Sequence, residues 1–509
     1  MGSRSKRRHK GGKRKSSSMF EKIRLPVPEI KLHRVGPHLW EIPQNGGMRV
    51  PGRIYANDAL MEVIRQDKCT EQVANVAFLP GIVKYSIAMP DIHWGYGFPI
   101  GGVAATDPDE GGVISPGGVG YDINCGVRVA RTNLKSDEIR NRMSELVNEL
   151  FASVPCGTGK GSSLREPITP TQMHELVTQG SRWAVERGYG SQEDIDHCEE
   201  GGCLSNADPE TVSMTAYQRG AGQVGSLGSG NHFIEIDVAD EIHDQEAAEV
   251  FGVEQGTVCV QIHTGSRGFG HQVCTDFLDI MQRAVVDYEI GLPDRQLCCV
   301  PINSPEGQRY LSAMACAANF AWVNRQVIMD NARRAFKRVL NISDDELGWQ
   351  LIYDVCHNIA KIEPHEVDGV RKRLCVHRKG ATRAFPKGHP QIPEKYKNIG
   401  QPVMVPGDMG TQSFICCGEE GSMLHTFGTS CHGAGRALSR SEATRRGKGR
   451  SISRELAGKG IIVQAKSNST LSEEMPEAYK DVGEVIDVVH NAGIARKVVK
   501  LRPVGVVKG

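Results

Sequence analysis

The sequence lacks the cysteine spacings that secreted domains and zinc ribbons use. Its 15 cysteines are odd in number, none forms a Cys-x-x-Cys pair, and two pairs are directly adjacent, Cys298 with Cys299 and Cys416 with Cys417. This pattern fits neither a disulfide framework nor a paired-cysteine metal site. We therefore expect an intracellular protein from a reducing compartment.

Long apolar runs are also missing. The most apolar stretch, residues 311–323, contains Asn319 and is followed by Asn324 and Arg325. The first residues carry no apolar segment of the kind that secretion signals contain. The sequence therefore predicts neither a membrane span nor an export signal.

Two common nucleotide-binding signatures are absent as well. The chain has no Gly-x-x-x-x-Gly-Lys-Ser/Thr loop, which argues against an ordinary P-loop site. It also lacks Lys-x-Asp-Gly, the signature of enzymes that carry a nucleotide on lysine, and the nearest string is Glu366-Val-Asp-Gly369. A nucleotide bound by this chain must be held in another way.

The charge that is present is unevenly distributed. Eight of the 61 Lys and Arg residues lie within residues 1–18, which hold no acid, so 53 basic residues face 60 acidic ones in the remainder, a net charge of −7. The tail cannot bury enough apolar surface to order itself, and we predict disorder over residues 1–18 and one large domain over residues 19–509. A polyanion would need a local basic patch on that domain. The tail is either a nuclear-import or RNA-tethering arm or a dispensable extension.

The hydrophobic pattern predicts helices interspersed with buried strands. Residues 136–154 have an apolar face and Ser136 as N-cap, and residues 276–288 and 311–340 also have helical patterns. We predict an α+β fold in which central β-sheets are flanked by helices. Glycine, 58 of 509 residues, allows close backbone approach to a ligand, so glycine-rich loops should form the site.

Two short apolar runs lead directly to histidines. Residues 257–262 and 351–355 are typical of buried strands, and His263 and His357 follow shortly after them. Ligands at the ends of rigid strands are a common way to position a site.

Three further side chains in glycine-rich loops are typical metal ligands. Asp122 and Cys125 stand three residues apart with glycines on both sides, and His232 follows a second glycine-rich loop. Taken singly, such a cysteine is usually a small buried hydrophobe and such a histidine a structural residue. Together with the two strand-end histidines they could hold a pair of divalent ions, provided that the thiolate bridges them. The ligand types suit Zn²⁺ as well as Mn²⁺.

His432 stands on a turn of small residues ahead of a stretch that we predict to be helical. Helix N-termini attract phosphate. Arg436 and Arg440 would share a helical face with His432 and could bind phosphate oxygens. We interpret His432 as a phosphate-facing nucleophile. The alternative is a solvated basic helix capped by a histidine, and we favour that interpretation for the basic residues between 445 and 450.

Two segments closely resemble motifs of the RtcB family of RNA-splicing ligases, in its eukaryotic branch. They are Ser115-Pro-Gly-Gly-Val-Gly-Tyr-Asp-Ile-Asn-Cys-Gly-Val-Arg128 and His432-Gly-Ala-Gly-Arg-Ala-Leu-Ser-Arg440, and the likeness extends over residues 20–509. The resemblance implies a GTP-dependent ligase with two Mn²⁺ ions per site. It would join RNA ends that carry a 2′,3′-cyclic phosphate or 3′-phosphate, as in tRNA halves, to 5′-hydroxyl ends. It also implies a tRNA-ligase complex with a DEAD-box helicase, archease as an activator, and a location in cytoplasm and nucleus.

The resemblance also implies a role for each residue of the site. Asp122 and His232 would hold one metal, His263 and His357 the other, and Cys125 would bridge them. A guanylyl group would be carried on His432. The contacts to the guanylate would be Asn231, His232, Phe233, Ile234, Glu235, His357, Asn358, Pro406, Gly407, Asp408, Met409, Ser413, His432, Gly433, Ala434, Gly435 and Lys508.

Base recognition and RNA binding complete the expected site. Lys508 could donate to guanine O6 and Glu235 could accept from N1 and N2, which would favour GTP over ATP. The RNA phosphates would be bound by Arg267, Arg436 and Arg440.

Other interpretations stay open. Asp91 and His93, in Pro90-Asp-Ile-His-Trp-Gly-Tyr-Gly97, could contact RNA or a ligand, or be structural. The first rival for the whole chain is a dinuclear metallo-phosphoesterase, which would need no nucleotide. The second is a non-catalytic RNA-binding scaffold, which should have lost at least one ligand.

Overall fold

Two large β-sheets form the centre of the fold. The computed structural model describes residues 20–159 and 161–509, so the predicted basic tail, residues 1–18, lies outside the described part. The strands are β1 (His33–Gly36), β2 (Leu39–Ile42), β3 (Gly52–Tyr55), β4 (Ile82–His93), β5 (Ile100–Thr106), β6 (Val113–Ile114), β7 (Gly126–Lys135), β8 (Phe233–Ile242), β9 (Thr257–Thr264), β10 (Val300–Pro301), β11 (Gln350–Cys356), β12 (Asn358–Val367), β13 (Val370–Lys379), β14 (Ala381–Arg383), β15 (Pro402–Val405), β16 (Ser413–Gly418), β17 (Thr429–Cys431), β18 (Ile462–Ala465) and β19 (Ala495–Lys508).

Helices cover and separate these sheets. They are α1 (Asp58–Ile64), α2 (Cys69–Val76), α3 (Ser136–Ile139), α4 (Met143–Ser153), α5 (Pro170–Gln179), α6 (Ser181–Glu186), α7 (Gln192–Asp196), α8 (Met214–Gly220), α9 (Gln245–Phe251), α10 (Arg267–Asp287), α11 (Pro305–Leu340), α12 (Asp344–Leu347), α13 (Glu420–Thr426), α14 (Arg440–Gly447), α15 (Ile452–Ala457), α16 (Asn468–Glu473) and α17 (Val482–Asn491).

The sheets are mainly antiparallel. The first has the order β1-β2-β3-β4-β5-β13-β12, in which only β3 and β4 are parallel. The second has the order β11-β7-β9-β8-β19-β16-β15, and β18 pairs with β19 in parallel. Because antiparallel sheets are packed against separate helices, the α+β prediction is confirmed.

Helix α11 lies in the core. Ser304 caps it by accepting from the Gly307 N–H at 3.1 Å, and it extends six residues further toward the N-terminus than the apolar pattern predicts. The polar residues that interrupt its apolar run are buried because they bind loops: Asn319 accepts from Leu204 N at 2.7 Å, and Asn324 accepts from two loop amides. No helix in residues 20–159 and 161–509 is long and apolar enough to cross a membrane.

The predicted strands at 257–262 and 351–355 are confirmed, as β9 and β11. The helix predicted over residues 136–154 is wrong in detail. The N-cap is Lys135, whose N–H donates to Glu138, and a 3-10 turn at Arg140–Arg142 divides the segment into α3 and α4. The apolar face stays continuous, since Ile139, Met143, Leu146 and Leu150 are all buried.

Candidate metal centre and nucleotide site

Four neighbouring strands of the second sheet deliver candidate ligands to one edge. Cys125 and His232 directly precede β7 and β8, His263 lies near the end of β9, and His357 directly follows β11. Antiparallel strands alternate in direction, so two starts and two ends meet at the same edge. The register agrees, because β7 and β8 both pair with β9 at His263, through Val127 and Phe233.

The five predicted ligands form two groups that share the thiol. One group is Asp122, Cys125 and His232, the other is Cys125, His263 and His357, and the ligand atoms of each lie within 4.8 Å of one another. Cys125 Sγ is 3.4 Å from His232 Nε2 and 3.3 Å from His263 Nε2. The Nε2 atoms of His263 and His357 are 3.2 Å apart, and His232 Nε2 is 3.0 Å from Asp122 Oδ2.

The protonation of these side chains fits cation binding. Burial, together with neighbouring histidines, holds the pKa of His263 and of His357 well below the ordinary value, so both rings are neutral with lone pairs available. His232 Nδ1 is 3.0 Å from the Leu227 carbonyl, which makes Nδ1 the donor and leaves Nε2 free toward the thiol. Burial and Asp122 raise the pKa of the Cys125 thiol well above its ordinary value, and a nearby divalent cation would oppose this. The residues therefore fit a two-metal centre.

A buried arginine from α11 ties the ligand segments together. Arg325 donates to the carbonyls of Asn124 at 2.8 Å and Thr264 at 3.0 Å, which are the neighbours of Cys125 and His263. It also pairs with Asp354 at 2.8 Å, in the strand that leads to His357. This role was not predicted from the sequence, in which Arg325 was noted only as a charge that follows the apolar stretch 311–323.

Asp91 holds His432 against this centre. From the sequence alone, its role was open between contact to RNA or a ligand and a structural one. Asp91 Oδ2, on β4, accepts from His432 Nδ1 at 2.5 Å and from the backbone N–H groups of His432 at 2.9 Å and Gly433 at 3.3 Å. Burial alone would raise the pKa of Asp91, but the facing His432 outweighs it and the pKa is lowered. The imidazole therefore donates through Nδ1, and its Nε2 lone pair is free. The ring centroids of His432 and His357 are 4.8 Å apart.

The predicted helix after His432 is wrong. Residues 432–439 form an irregular loop, and the helix α14 begins only at Arg440, after the N-cap Ser439. The N–H groups that a helix start would leave free for phosphate already donate to Asp91. Gly435 has a φ of 71°, and a Cβ there would lie 2.0 Å from the Asp91 carbonyl oxygen, so this close approach requires glycine.

Arg436 and Arg440 consequently do not share a helical face with His432, although both line the cavity. Arg436 is paired with Glu474 at 3.0 Å, and Arg440 is paired with Glu473 at 3.0 Å but has a 60% exposed side chain. Arg267 does not line the cavity. It is buried, and it donates to Ser226 Oγ at 3.1 Å and to the Gly157 carbonyl at 2.7 Å.

Most of the residues expected to contact guanylate surround the same cavity, which has a volume of about 960 Å³. Its lining includes Asn231, His232, Phe233, Glu235, His357, Asn358, Pro406, Gly407, Asp408, Met409, His432, Gly433, Ala434, Gly435 and Lys508. Two do not line it: Ile234 packs into the apolar core, and Ser413 is buried beneath the loop, accepting from Gly407 N at 3.0 Å.

The two expected base readers, Lys508 and Glu235, line the same cavity. Lys508 Nζ donates to the Asn231 carbonyl at 3.2 Å and lies 5.1 Å from the centre of the Phe233 ring. Burial lowers the pKa of Lys508, and nearby carboxylates offset part of this. Burial and Asp237 raise the pKa of Glu235 well above its ordinary value, and Lys508 opposes the increase.

The cavity thus combines a candidate two-metal centre, a histidine with a free ring nitrogen and two buried ionisable side chains, Glu235 and Lys508. These are features of an enzyme site. The family described as "tRNA-splicing ligase RtcB" matches residues 72–509. A tRNA-splicing ligase RtcB of Thermococcus kodakarensis is 54% identical over 481 residues, covering 94% of this chain and 99% of the relative. That of Archaeoglobus fulgidus is 52% identical with the same coverage. An RNA-splicing ligase RtcB of Mycobacterium tuberculosis is 51% identical over 86% of this chain and 100% of the relative.

This chain belongs to the RtcB family of tRNA-splicing ligases.

Proposed function

We propose that this ligase joins RNA ends that carry a 3′-phosphate or a 2′,3′-cyclic phosphate to 5′-hydroxyl ends, with GTP and two Mn²⁺ ions. The observation that carries the proposal is the contact between nucleophile and ligands, the 4.8 Å separation of the His432 and His357 rings. A phosphate bound beside the ligands would be within reach of His432. Such juxtaposition of nucleophile and charge-stabilising groups is what nucleotidyl transfer requires.

The two groups of candidate ligands described above would each hold one metal ion. Asp122 and His232 would hold one Mn²⁺, His263 and His357 the other, and Cys125 both. Bound Mn²⁺ would neutralise the charge that develops on the phosphate oxygens. The protein holds the ligands ready for this by burying Cys125 and the three histidines, and burial lowers the pKa of His263 and of His357 so that these two rings are neutral.

The reaction begins at His432. Its Nε2 lone pair attacks the α-phosphorus of GTP, an N–P bond forms, and pyrophosphate leaves as the bond to its oxygen breaks. The charge-assisted hydrogen bond from Nδ1 to Asp91 stabilises the positive ring that results. Because Asp91 also binds two backbone N–H groups of the same loop, it fixes the direction of Nε2 as well.

The guanylyl group then passes to RNA. An oxygen of the RNA 3′-phosphate attacks the guanylyl phosphorus, and the N–P bond breaks to restore His432. The 5′-hydroxyl attacks the activated RNA phosphorus, its proton goes to solvent, and GMP leaves. A cyclic phosphate must first be hydrolysed to the 3′-phosphate. Arg440 and Arg436, which line the cavity, are the proposed contacts to RNA phosphates, and Arg440 is the more exposed of the two. The RNA contact expected for Arg267 is not proposed further, because its side chain is buried and bonded to Ser226 and Gly157.

Guanine would be read by Lys508 and Glu235. The Lys508 ammonium can donate to O6, whereas adenine presents a donor at that position, and Glu235 can accept from guanine N1 and N2. Both groups are buried, and in their ionised forms they are opposite in charge, which would give them a strong and directional interaction with a base of matching pattern.

The test is transfer of label from α-labelled GTP to protein. Wild type should gain acid-labile label, and His432→Ala should gain none, while His425→Ala, an exposed histidine on α13, should label normally. Label that persists in His432→Ala would contradict the proposal. Release of phosphate from RNA ends without any GTP requirement would favour the dinuclear metallo-phosphoesterase.

The expected surroundings of the reaction rest on the family resemblance and on the sequence of the tail. We propose action in cytoplasm and nucleus, within a tRNA-ligase complex that includes a DEAD-box helicase, with archease as activator. The basic residues 1–18 would serve import or RNA tethering. Deletion of residues 2–18 should leave ligation intact at low salt, and complete loss of activity would contradict this role.

A further inference from the structure

One tryptophan of this chain is exposed inside the catalytic cavity. Trp94 is 45% exposed and lines the cavity together with His432, whereas Trp40, Trp183 and Trp322 are buried in the core. An exposed indole has a large apolar face that a bound ligand could bury, so an exposed indole in this cavity is a candidate ligand contact.

The position of Trp94 is fixed by its backbone. Its N–H donates to Asp67 Oδ2 at 2.8 Å. The next residue, Gly95, is held at both backbone groups by the buried Gln72, which accepts from its N–H at 3.0 Å and donates to its carbonyl at 2.7 Å. A ring presented on so rigid a segment loses little entropy when it binds a planar partner.

The surroundings of Trp94 suit a nucleotide. Tyr96 and Tyr121 line the same cavity and contact each other edge to face, with ring centroids 5.6 Å apart. Lys68 also lines this cavity, is exposed, and has no ion-pair partner among the residues that the structure describes. Aromatic faces beside an unpaired cation are the usual elements of single-stranded nucleic-acid binding.

Trp94 and the proposed guanine readers belong to different sheets. Glu235 and Lys508 belong to β8 and β19 of the second sheet, whereas Trp94 directly follows β4 of the first sheet. Strand β4 also carries Asp91, which holds His432. Three residues of extended chain span at most roughly 10 Å, so the Trp94 backbone lies within that distance of the Asp91 backbone, whose side chain holds His432.

We propose that the Trp94 indole stacks on the base of the RNA 3′-terminal nucleotide, the nucleotide whose phosphate receives the guanylyl group. The inference rests on the proposed function and adds the subsite that positions its second substrate. Stacking is tolerant of sequence because every base has a π-face, which suits an enzyme that joins different RNA ends.

The experiment compares Trp94→Ala with Trp94→Phe and with Tyr288→Ala, an exposed aromatic residue outside the cavity. Guanylylation of His432 without RNA is measured first, followed by transfer to a 3′-phosphate RNA in a single turnover. Trp94→Ala should guanylylate normally but need about 5- to 100-fold more RNA for half-maximal transfer. Trp94→Phe should recover most of the loss, and Tyr288→Ala should behave as wild type.

A substrate without its 3′-terminal base isolates the contact. Wild type should need more of this RNA for half-maximal transfer, by the same factor as Trp94→Ala needs more of the intact RNA. Trp94→Ala should show no further increase on the RNA without the base, since the two changes remove one interaction. An equal weakening in both proteins on the RNA without its 3′-terminal base would overturn the proposal. It would also be overturned if the dependence on Trp94 disappeared on removal of the 5′-terminal base and not of the 3′-terminal base. A fall in guanylylation without RNA would show that Trp94 supports the Asp91 segment and would also overturn it. Failure of wild type to label at all would instead contradict the proposed function.

Equilibrium binding gives a second readout that does not require turnover. In the His432→Ala background, Trp94→Ala should weaken binding of a fluorescent 3′-phosphate RNA by the same factor, measured by anisotropy. Unchanged affinity would contradict the stacking contact.

Discussion

Replacement of Asp91 by asparagine should slow the guanylylation of His432 without loss of metal. Asp91 Oδ2 accepts three hydrogen bonds from the His432 loop, the shortest at 2.5 Å from Nδ1. A hydrogen bond to a charged group contributes about 1.5–3 kcal/mol, against about 0.5–1.5 kcal/mol for a neutral one. Losing the charge alone removes about 1 to 1.5 kcal/mol and should therefore slow the step by roughly 5- to 13-fold. If the amide instead turns its NH₂ toward Nδ1, the proton moves to Nε2 and the loss is larger.

The assay is single-turnover labelling with GTP, with metal content measured on the same samples. Asp107→Asn is the matched control, because Asp107 is also a buried carboxylate that accepts a backbone N–H and faces a cation, Lys372, but it does not line the cavity. It should label at the wild-type rate. A wild-type rate in Asp91→Asn with normal metal content would refute the argument that Asp91 directs His432.

Three further predictions follow from the cavity walls. Cys125→Ala should lose its metal, measured by elemental analysis, because both ligand groups share the Cys125 thiol. Its guanylylation rate should fall by at least about 100-fold. The control Cys431→Ala, which changes a buried cysteine beside His432, should keep its metal. Lys508→Ala should reduce the preference for GTP over ATP by about 10- to 100-fold in competition labelling, with unchanged metal content and thermal stability. The pKa of Glu235 is raised, and guanine binding requires its ionised form, so the KM for GTP should rise as pH falls. The rise should begin at a pH above the ordinary glutamate pKa and reach up to about tenfold per pH unit. Glu235→Gln should make KM high and independent of pH, and a flat wild-type profile would contradict this assignment.

Local sequence was sufficient for the parts of the site that depend on local structure. His263 and His357 could be placed because short apolar runs lead to them, and β9 and β11 are those runs. Asp122 and Cys125 were recognisable from the glycines around them. The division of the ligands into two groups was implied by family resemblance, and the geometry agrees with it.

The parts that could not be predicted depend on remote contacts. A small-residue turn followed by arginines is compatible with a helix start. Contacts with remote parts of the chain hold it in a loop instead, among them the hydrogen bond from His432 to Asp91, 341 positions away, and those from Ala437 and Leu438 to the Ala478 carbonyl. In the same way, nothing local to Arg325 shows that its partners are the backbone carbonyls beside Cys125 and His263. Tertiary structure overrides local preference at these positions.

The central position of β19 has a consequence for folding. The contact from Lys508 to Asn231 joins residues 277 positions apart, and such remote pairing forms slowly. Until β19 inserts between β8 and β16, each of those strands exposes an edge that a second chain could occupy. A chain that stops at this stage would have β7, β9 and β11, which position candidate metal ligands, in place without Lys508 of β19. It would also be prone to association. We therefore expect slow refolding, with a yield that falls as protein concentration rises.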